Sequence, residues 1–164
     1  MRNKIISIIL GVIALIATLF WCWLHHPLPR YEGEISLSGL KESVDIYTDE
    51  YGVPHVFAKN ENDLFFTAGY LAARERLFQL STVALAVRGE LASALGDDLL
   101  GSDIYLRTWR IHATAKKIVA AMTPENRKIF EAFCDGINAR IDEVKSDPPV
   151  EFKILGIDPP YWDP

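Results

Sequence analysis

Cysteine is scarce in this sequence: Cys22 and Cys134 are the only two among 164 residues. Cys22 lies inside an apolar run between Trp21 and Trp23, without the small neighbours of a lipid-modified start, so Cys134 stands alone in the rest of the chain. No disulfide can form within that part, and its stability must come from packing or from further chain. Cys134 reads as a small buried hydrophobe rather than a reactive thiol. Basic clusters are missing as well. With 17 Lys+Arg against 22 Asp+Glu the chain is mildly acidic and has no positive stripe of the kind a phosphate backbone requires, so nucleic acid is excluded as a partner. No internal repeat or low-complexity tract occurs. A composition 49% hydrophobic and 24% charged is that of one ordered domain with a modest core, not of a disordered tail.

Charge is wholly absent from residues 5–24, IISIILGVIALIATLFWCWL, a run that matches the ~20 residues a bilayer crossing requires. Arg2 and Lys4 precede it and Glu32 and Glu34 follow it, which predicts a membrane anchor with a cytoplasmic N-terminus and the bulk of the chain periplasmic or extracellular. The membrane is then a partner through residues 5–24. A cleaved signal peptide is the competing reading, but the run exceeds the usual h-region of ~7–15 residues and WCWLHHPLPR offers no small-x-small cleavage site. His25 and His26 are read as membrane-interface residues, since an adjacent pair rarely converges on a metal without further ligands. Residues 25–39, with Pro27, Pro29, Gly33 and Gly39, read as a linker, and residues 40–164 as the organised part.

Two β-prone runs, SVDIYTDE and VPHVFA, flank Tyr51-Gly52 and predict a hairpin, with Pro54 at a strand start or edge because it has no N–H to donate. From Asn62 the period becomes helical: Asn62 or Asp63 is the expected N-cap, Leu64, Ala68, Leu71 and Ala72 follow at helical spacing, and the helix should run towards Val87. A short helical piece is expected near Gly89, a loop at 96–101, and one helix over 104–122 with Leu106, Trp109, Ala113 and Ile118 inward. Thr123-Pro124 is a helix start with a mechanism, a hydroxyl acceptor followed by a residue that lacks the donor otherwise left unpaired. Phe130, Phe133, Ile137, Ile141 and Val144 then form one stripe. The proline-rich strip after Lys145 forbids a long helix, and its Tyr161 and Trp162 are expected to mark a truncation point or a surface that another chain covers.

The run DEYGVPHVFAKNENDLFFTAGYLAARERLFQL resembles the N-terminal segment of the penicillin acylase family, amidohydrolases of the N-terminal-nucleophile class. The matching pieces are Asp49-Glu50, Gly52-Val53-Pro54-His55, Ala58, Asp63-Leu64, Gly69-Tyr70, Ala73, Arg76-Leu77 and Gln79. In order there follow Gly89, Leu91, Ala92 and Gly96, the pair Asp103 and Arg107, Asp135-Gly136 with Asn138, and Phe152, Gly156, Pro159 and Trp162. The resemblance covers almost everything from about Leu37 onward. It implies an α+β fold class: after the N-terminal transmembrane helix, a strand pair and helices contribute to an αββα sandwich, as an incomplete N-terminal part of the α chain. It also implies a longer precursor cut into α and β chains, a serine nucleophile at the β N-terminus acting on a small-molecule acyl amide, and a calcium site in the full-length protein. The remainder of the precursor, the β chain, is then this chain's partner. No catalytic, cofactor-binding or metal-ligating residue is carried over onto these residues. The chain departs from the family at Arg74-Glu75, Ala84-Leu85 and Ser93, where the family has Gln-Asp, an arginine pair and a glutamate.

His55 is the one residue here that invites a catalytic reading, with Ser43, Asp45 and Asp49 as neighbours in sequence. Their spacing carries no triad signature, so a hydrogen-bonded strand residue is the favoured reading. Arg74 and Glu75 read as a solvated helix face, while Arg76 stands level between that and a polar network behind an active site. Two functions from different classes follow: part of an acyl-amide hydrolase, inactive by itself, with an acyl-homoserine lactone as alternative substrate; or a membrane-anchored, non-catalytic helical interaction module.

Overall fold

The computed structural model describes residues 2–25 and 31–164. In chain order the elements are helix α1 (Arg2–His25), strands β1 (Asp45–Thr48) and β2 (Pro54–Phe57), and helices α2 (Glu61–Arg88), α3 (Leu91–Leu95), α4 (Leu100–Thr108), α5 (Ile111–Ala120), α6 (Pro124–Val144) and α7 (Val150–Leu155), with a 3-10 turn at Asp97–Leu99 between α3 and α4. The expected α+β class gives way to a mostly helical architecture. Among the described residues the only sheet has two strands: β1 and β2 pair antiparallel with each other, Thr48 opposite Pro54 and Asp45 opposite Phe57. Every residue of β1 faces solvent, and among the described residues no further strand pairs with either.

The transmembrane helix expected over residues 5–24 is not supported either: among the described residues no helix is long and apolar enough to cross a membrane. The membrane partner expected through that segment loses its support with it. The interface role expected of His25 and His26 falls on side chains outside the described residues.

The core lies where α2 crosses α6. Ala73 and Leu77 of α2 meet Ile137, Ile141 and Val144 of α6, and Phe152 of α7 closes the cluster, flanked by half-buried Phe78, Leu80, Phe133, Ile157 and Trp162. Two glycines set how closely the helices approach. A β-carbon on Gly69 would lie 2.0 Å from the Phe133 carbonyl oxygen, and one on Gly136 would lie 1.9 Å from that of Phe66, so no larger residue fits at the crossing.

Capping accounts for the ends of both long helices. Asn60, not Asn62 or Asp63, caps α2: its side chain accepts from the Asp63 N–H at 2.9 Å, which places Asp63 one turn further in than expected. Gly89, left-handed at φ 67°, ends α2. Thr123 caps α6 with Pro124 in the first turn, as the sequence predicts. The single helix expected over 104–122 is instead two, broken at Arg110, whose φ of 55° makes it the only non-glycine residue with positive φ among those described. Trp109 and Ile118, expected inward, are 65% and 55% exposed, and Phe130 is exposed as well.

Candidate functional site

His55 is assembled with Asp49, not with a nucleophile. The turn between the strands places the Asp49 carboxylate under the backbone N–H groups of Tyr51 and Val53, each 2.9 Å from Oδ1. His55 Nε2 lies 3.1 Å from Oδ2; a carboxylate can only accept, so that nitrogen carries the proton. The bond from the Val53 N–H, then that from His55, holds the Asp49 carboxyl below the usual carboxylate range. Ser43 and Asp45 are exposed and make no bond to His55, and among the described residues no serine, threonine or cysteine does. The histidine fastens a hairpin.

A second polar cluster runs across the α2 and α6 faces. Tyr70 donates its hydroxyl to Glu143 Oε2 at 2.6 Å, and the nearly buried Arg140 donates Nη1 to the same oxygen at 2.7 Å. Nearby, Arg74 donates Nε to Glu75 Oε1 at 2.9 Å and lies with its guanidinium carbon 4.8 Å from the centre of the Tyr31 ring, whose hydroxyl reaches Glu75 Oε2 at 3.1 Å. The reading of Arg74 is corrected here, while Glu75 does face solvent. Arg74, assigned to a solvated face, has a side chain only 7% exposed, whereas Arg76 is exposed at a kink in α2 (φ −140°, ψ 33°) and has no carboxylate partner among the described residues. Burial, reinforced by the Glu143 bond, pushes the Tyr70 hydroxyl up to about 12, and burial, then the Glu75 bond, raises that of Tyr31. Burial likewise pushes the Cys134 thiol up to about 11. The cluster joins elements: Tyr70 links α2 to Glu143 of α6, and Tyr31 ties the preceding segment to Glu75 of α2.

Four further side chains hold backbone groups on their polar atoms. Asp63, fully buried, accepts from the N–H groups of Lys41 and Glu42, both at 3.0 Å, and from Asn60 Nδ2 at 2.6 Å. Burial opposes its charge, but the Lys41, Asn60 and Glu42 donors outweigh it and hold the carboxyl below its ordinary value. Asp103, also buried, receives the Leu91 and Ala92 N–H groups at 2.9 and 2.8 Å and so closes the start of α3, while Arg107 one turn on donates Nε to the Gly89 carbonyl at 2.9 Å. Asn138 makes a two-way amide bond with Trp162, 2.8 Å in each direction, and thereby pins the C-terminal strip on α6.

Residue reading alone missed these roles for Asp63 and Asp103; the available signal was the ordered set of acidic and glycine positions in the resemblance. The arrangement makes a framework. Among the described residues no three His, Cys, Asp or Glu side chains could hold a metal ion, and the buried carboxylates already receive backbone N–H groups, so these residues do not fit a calcium site.

Comparison with known proteins agrees with the motif set. The penicillin amidase family model matches residues 43–164. Penicillin G acylase of Escherichia coli is 34% identical over 125 residues, 74% of this chain and 15% of that protein. The acyl-homoserine lactone acylase QuiP of Pseudomonas fluorescens (strain Pf0-1) is 28% identical over 163 residues, 99% of this chain and 20% of that protein. A solved structure, the thermostable penicillin G acylase from Alcaligenes faecalis in tetragonal form, superposes with a TM-score of 0.67 at 31% identity, covering 73% of this chain and 65% of that one. The chain thus spans between 15% and 20% of the length of these two curated relatives.

Proposed function

The chain belongs to the penicillin amidase family, and from that premise we propose that it is the N-terminal framework segment of an acyl-amide hydrolase whose nucleophile lies outside these 164 residues. The observation that carries this reading is the fate of the family-matching side chains. Gly69 and Gly136 set a helix crossing, Asp63, Asp103 and Arg107 hold backbone, and Asn138 pins Trp162, which leaves no reactive constellation among the described residues.

On this reading the reaction needs an N-terminal serine supplied by a second chain. Its hydroxyl oxygen bonds to the acyl carbon, the carbon–nitrogen bond breaks, and the hydroxyl proton passes by way of the serine's own α-amine to the departing amine. Water then releases the acid and restores the serine. An α-amine with a pKa of about 8 is partly neutral at working pH and suits that role. Relatives named for penicillin G and for acyl-homoserine lactones support an acyl amide with a non-peptide carbon–nitrogen bond as the substrate class. A calcium ion, if the whole protein uses one, is placed by the same reading in the remainder of the protein.

A non-catalytic interaction module is the second reading, favoured by the exposed apolar residues of α4 and α5. The two are separated by expressing the whole gene and sequencing the N-termini of the product. The hydrolase reading expects a Ser-led second chain, hydrolysis of penicillin G or of an acyl-homoserine lactone, and loss of turnover when that serine becomes alanine. A single uncut chain that turns over neither compound supports the module instead.

A further inference from the structure

Residues 31–42 lie alongside α2 and are fastened to it unequally at their two ends. At the later end the Lys41 and Glu42 N–H groups both donate to the fully buried Asp63 carboxylate at 3.0 Å. Gly39 rests so closely on the Phe66 ring that a β-carbon there would lie 2.1 Å from it. At the earlier end Tyr31 makes the contacts. Its ring centre lies 4.8 Å from the Arg74 guanidinium carbon and its hydroxyl donates to Glu75 Oε2 at 3.1 Å, yet the residue is 59% exposed. Between these ends residues 32–36 face solvent, only Leu37 is half-buried, and Gly33, left-handed at φ 106°, has open space around it.

Buried bonds to a carboxylate are strong, whereas an exposed cation–π contact and an exposed hydrogen bond are each weak. The segment therefore parts from α2 at Tyr31 first. Its departure strands no charge, because Arg74 keeps its Nε bond to Glu75 Oε1 at 2.9 Å. Nor is the segment taut when closed: Asp63 and Glu75 are about 18 Å apart along α2, whereas the stretch from Tyr31 to Lys41 reaches about 33 Å when extended.

We propose that residues 31–42 are a latched strap, with its hinge at Gly39–Glu42 and its latch at Tyr31 on Arg74 and Glu75. The latch decides whether the chain before Tyr31 is held along α2 or swings clear of the body, and its opening uncovers the face of the Arg74 guanidinium on which the ring rests.

Limited digestion of the protein expressed from its whole gene with a glutamate-specific protease tests the strap, because Glu32 and Glu34 lie just inside the latch. Cleavage after these two residues should be about tenfold faster in Tyr31→Ala than in the parent. In Tyr31→Phe, which keeps the ring on Arg74 and loses the hydroxyl bond, it should be about two- to threefold faster. Arg74→Gln, which removes the cation, should match Tyr31→Ala. In all three variants α2 and α6 should resist cleavage as they do in the parent. Equal cleavage of parent and Tyr31→Ala overturns the proposal, since the ring would then hold nothing. So does faster cleavage that extends into α2 and α6, which would make Tyr31 part of the core packing and not a latch. The two Tyr31 variants alter an exposed side chain, so the outcome does not depend on whether the Arg74 variant folds.

Discussion

At the scale of single residues, Asp63 makes the clearest pH prediction. Its folded carboxyl lies below the unfolded value of about 3.9, so the stability it contributes is complete above that value and is lost as pH falls through the folded one. In the protein expressed from its whole gene, Asp63→Asn should cost about 1–3 kcal/mol at pH 7, because the Lys41 and Glu42 N–H groups would share a weaker, uncharged acceptor. The gap between variant and parent should close as pH drops below about 4. Melting curves from pH 7 to pH 3 check this, and parallel curves would show that Asp63 carries no linkage. Glycine offers a second contrast. Gly136→Ala should destabilise by about 3 kcal/mol or more, since the methyl group meets the Phe66 carbonyl, whereas Gly101→Ala, in α4 with open space around it, should be neutral or stabilise by about 0.5–1 kcal/mol. Denaturant midpoints of the two variants give the comparison directly.

Among elements, the C-terminal strip is fastened at several points. Asn138 bonds the Trp162 backbone both ways, Arg88 donates to the Tyr161 carbonyl at 2.7 Å and to Asp163 at 3.0 Å, and the Tyr161 hydroxyl donates to Asp142. Asn138→Ala removes the half-buried pair and leaves the Trp162 N–H and C=O without partners, a cost of about 1–3 kcal/mol. Cleavage by a nonspecific protease within residues 157–164 should then rise about tenfold, with the α2 and α6 fragments still protected; unchanged cleavage would mean that the strip is held by Trp162 packing alone. The same logic explains the break between α4 and α5. Asp103 and Arg107 fix α4 to the Gly89 turn, and the chain leaves that anchorage through the left-handed Arg110.

For the whole molecule, the balance lies between one closed core and an uncovered arm. The α2–α6–α7 cluster buries Ile137 and Phe152 almost completely and half-buries Phe133 and Trp162 without help from a sheet, whereas Ile104, Tyr105, Trp109 and Ile118 have nothing over them. Residues 31–164 expressed alone should therefore self-associate as concentration rises, show no single sharp monomeric transition, and turn over neither penicillin G nor an acyl-homoserine lactone. Sedimentation and calorimetry across a concentration series check the first two, and a monomer with a sharp cooperative melt would contradict them.

The hairpin, α2, the Thr123-Pro124 start of α6 and its apolar stripe were readable in the sequence because each depends on neighbours within a few residues: a turn, a cap, a 3.6-residue period. Family membership was readable for a related reason, since the ordered glycines, carboxylates and amides are fixed by the backbone groups they contact. The tertiary structure alone decided the burial of Arg74, the backbone-holding roles of Asp63, Asp103 and Asn138, and the exposure of Trp109. Each of these depends on groups brought together from distant parts of the chain, and no local pattern encodes whether a partner arrives to cover a side chain or leaves it in water.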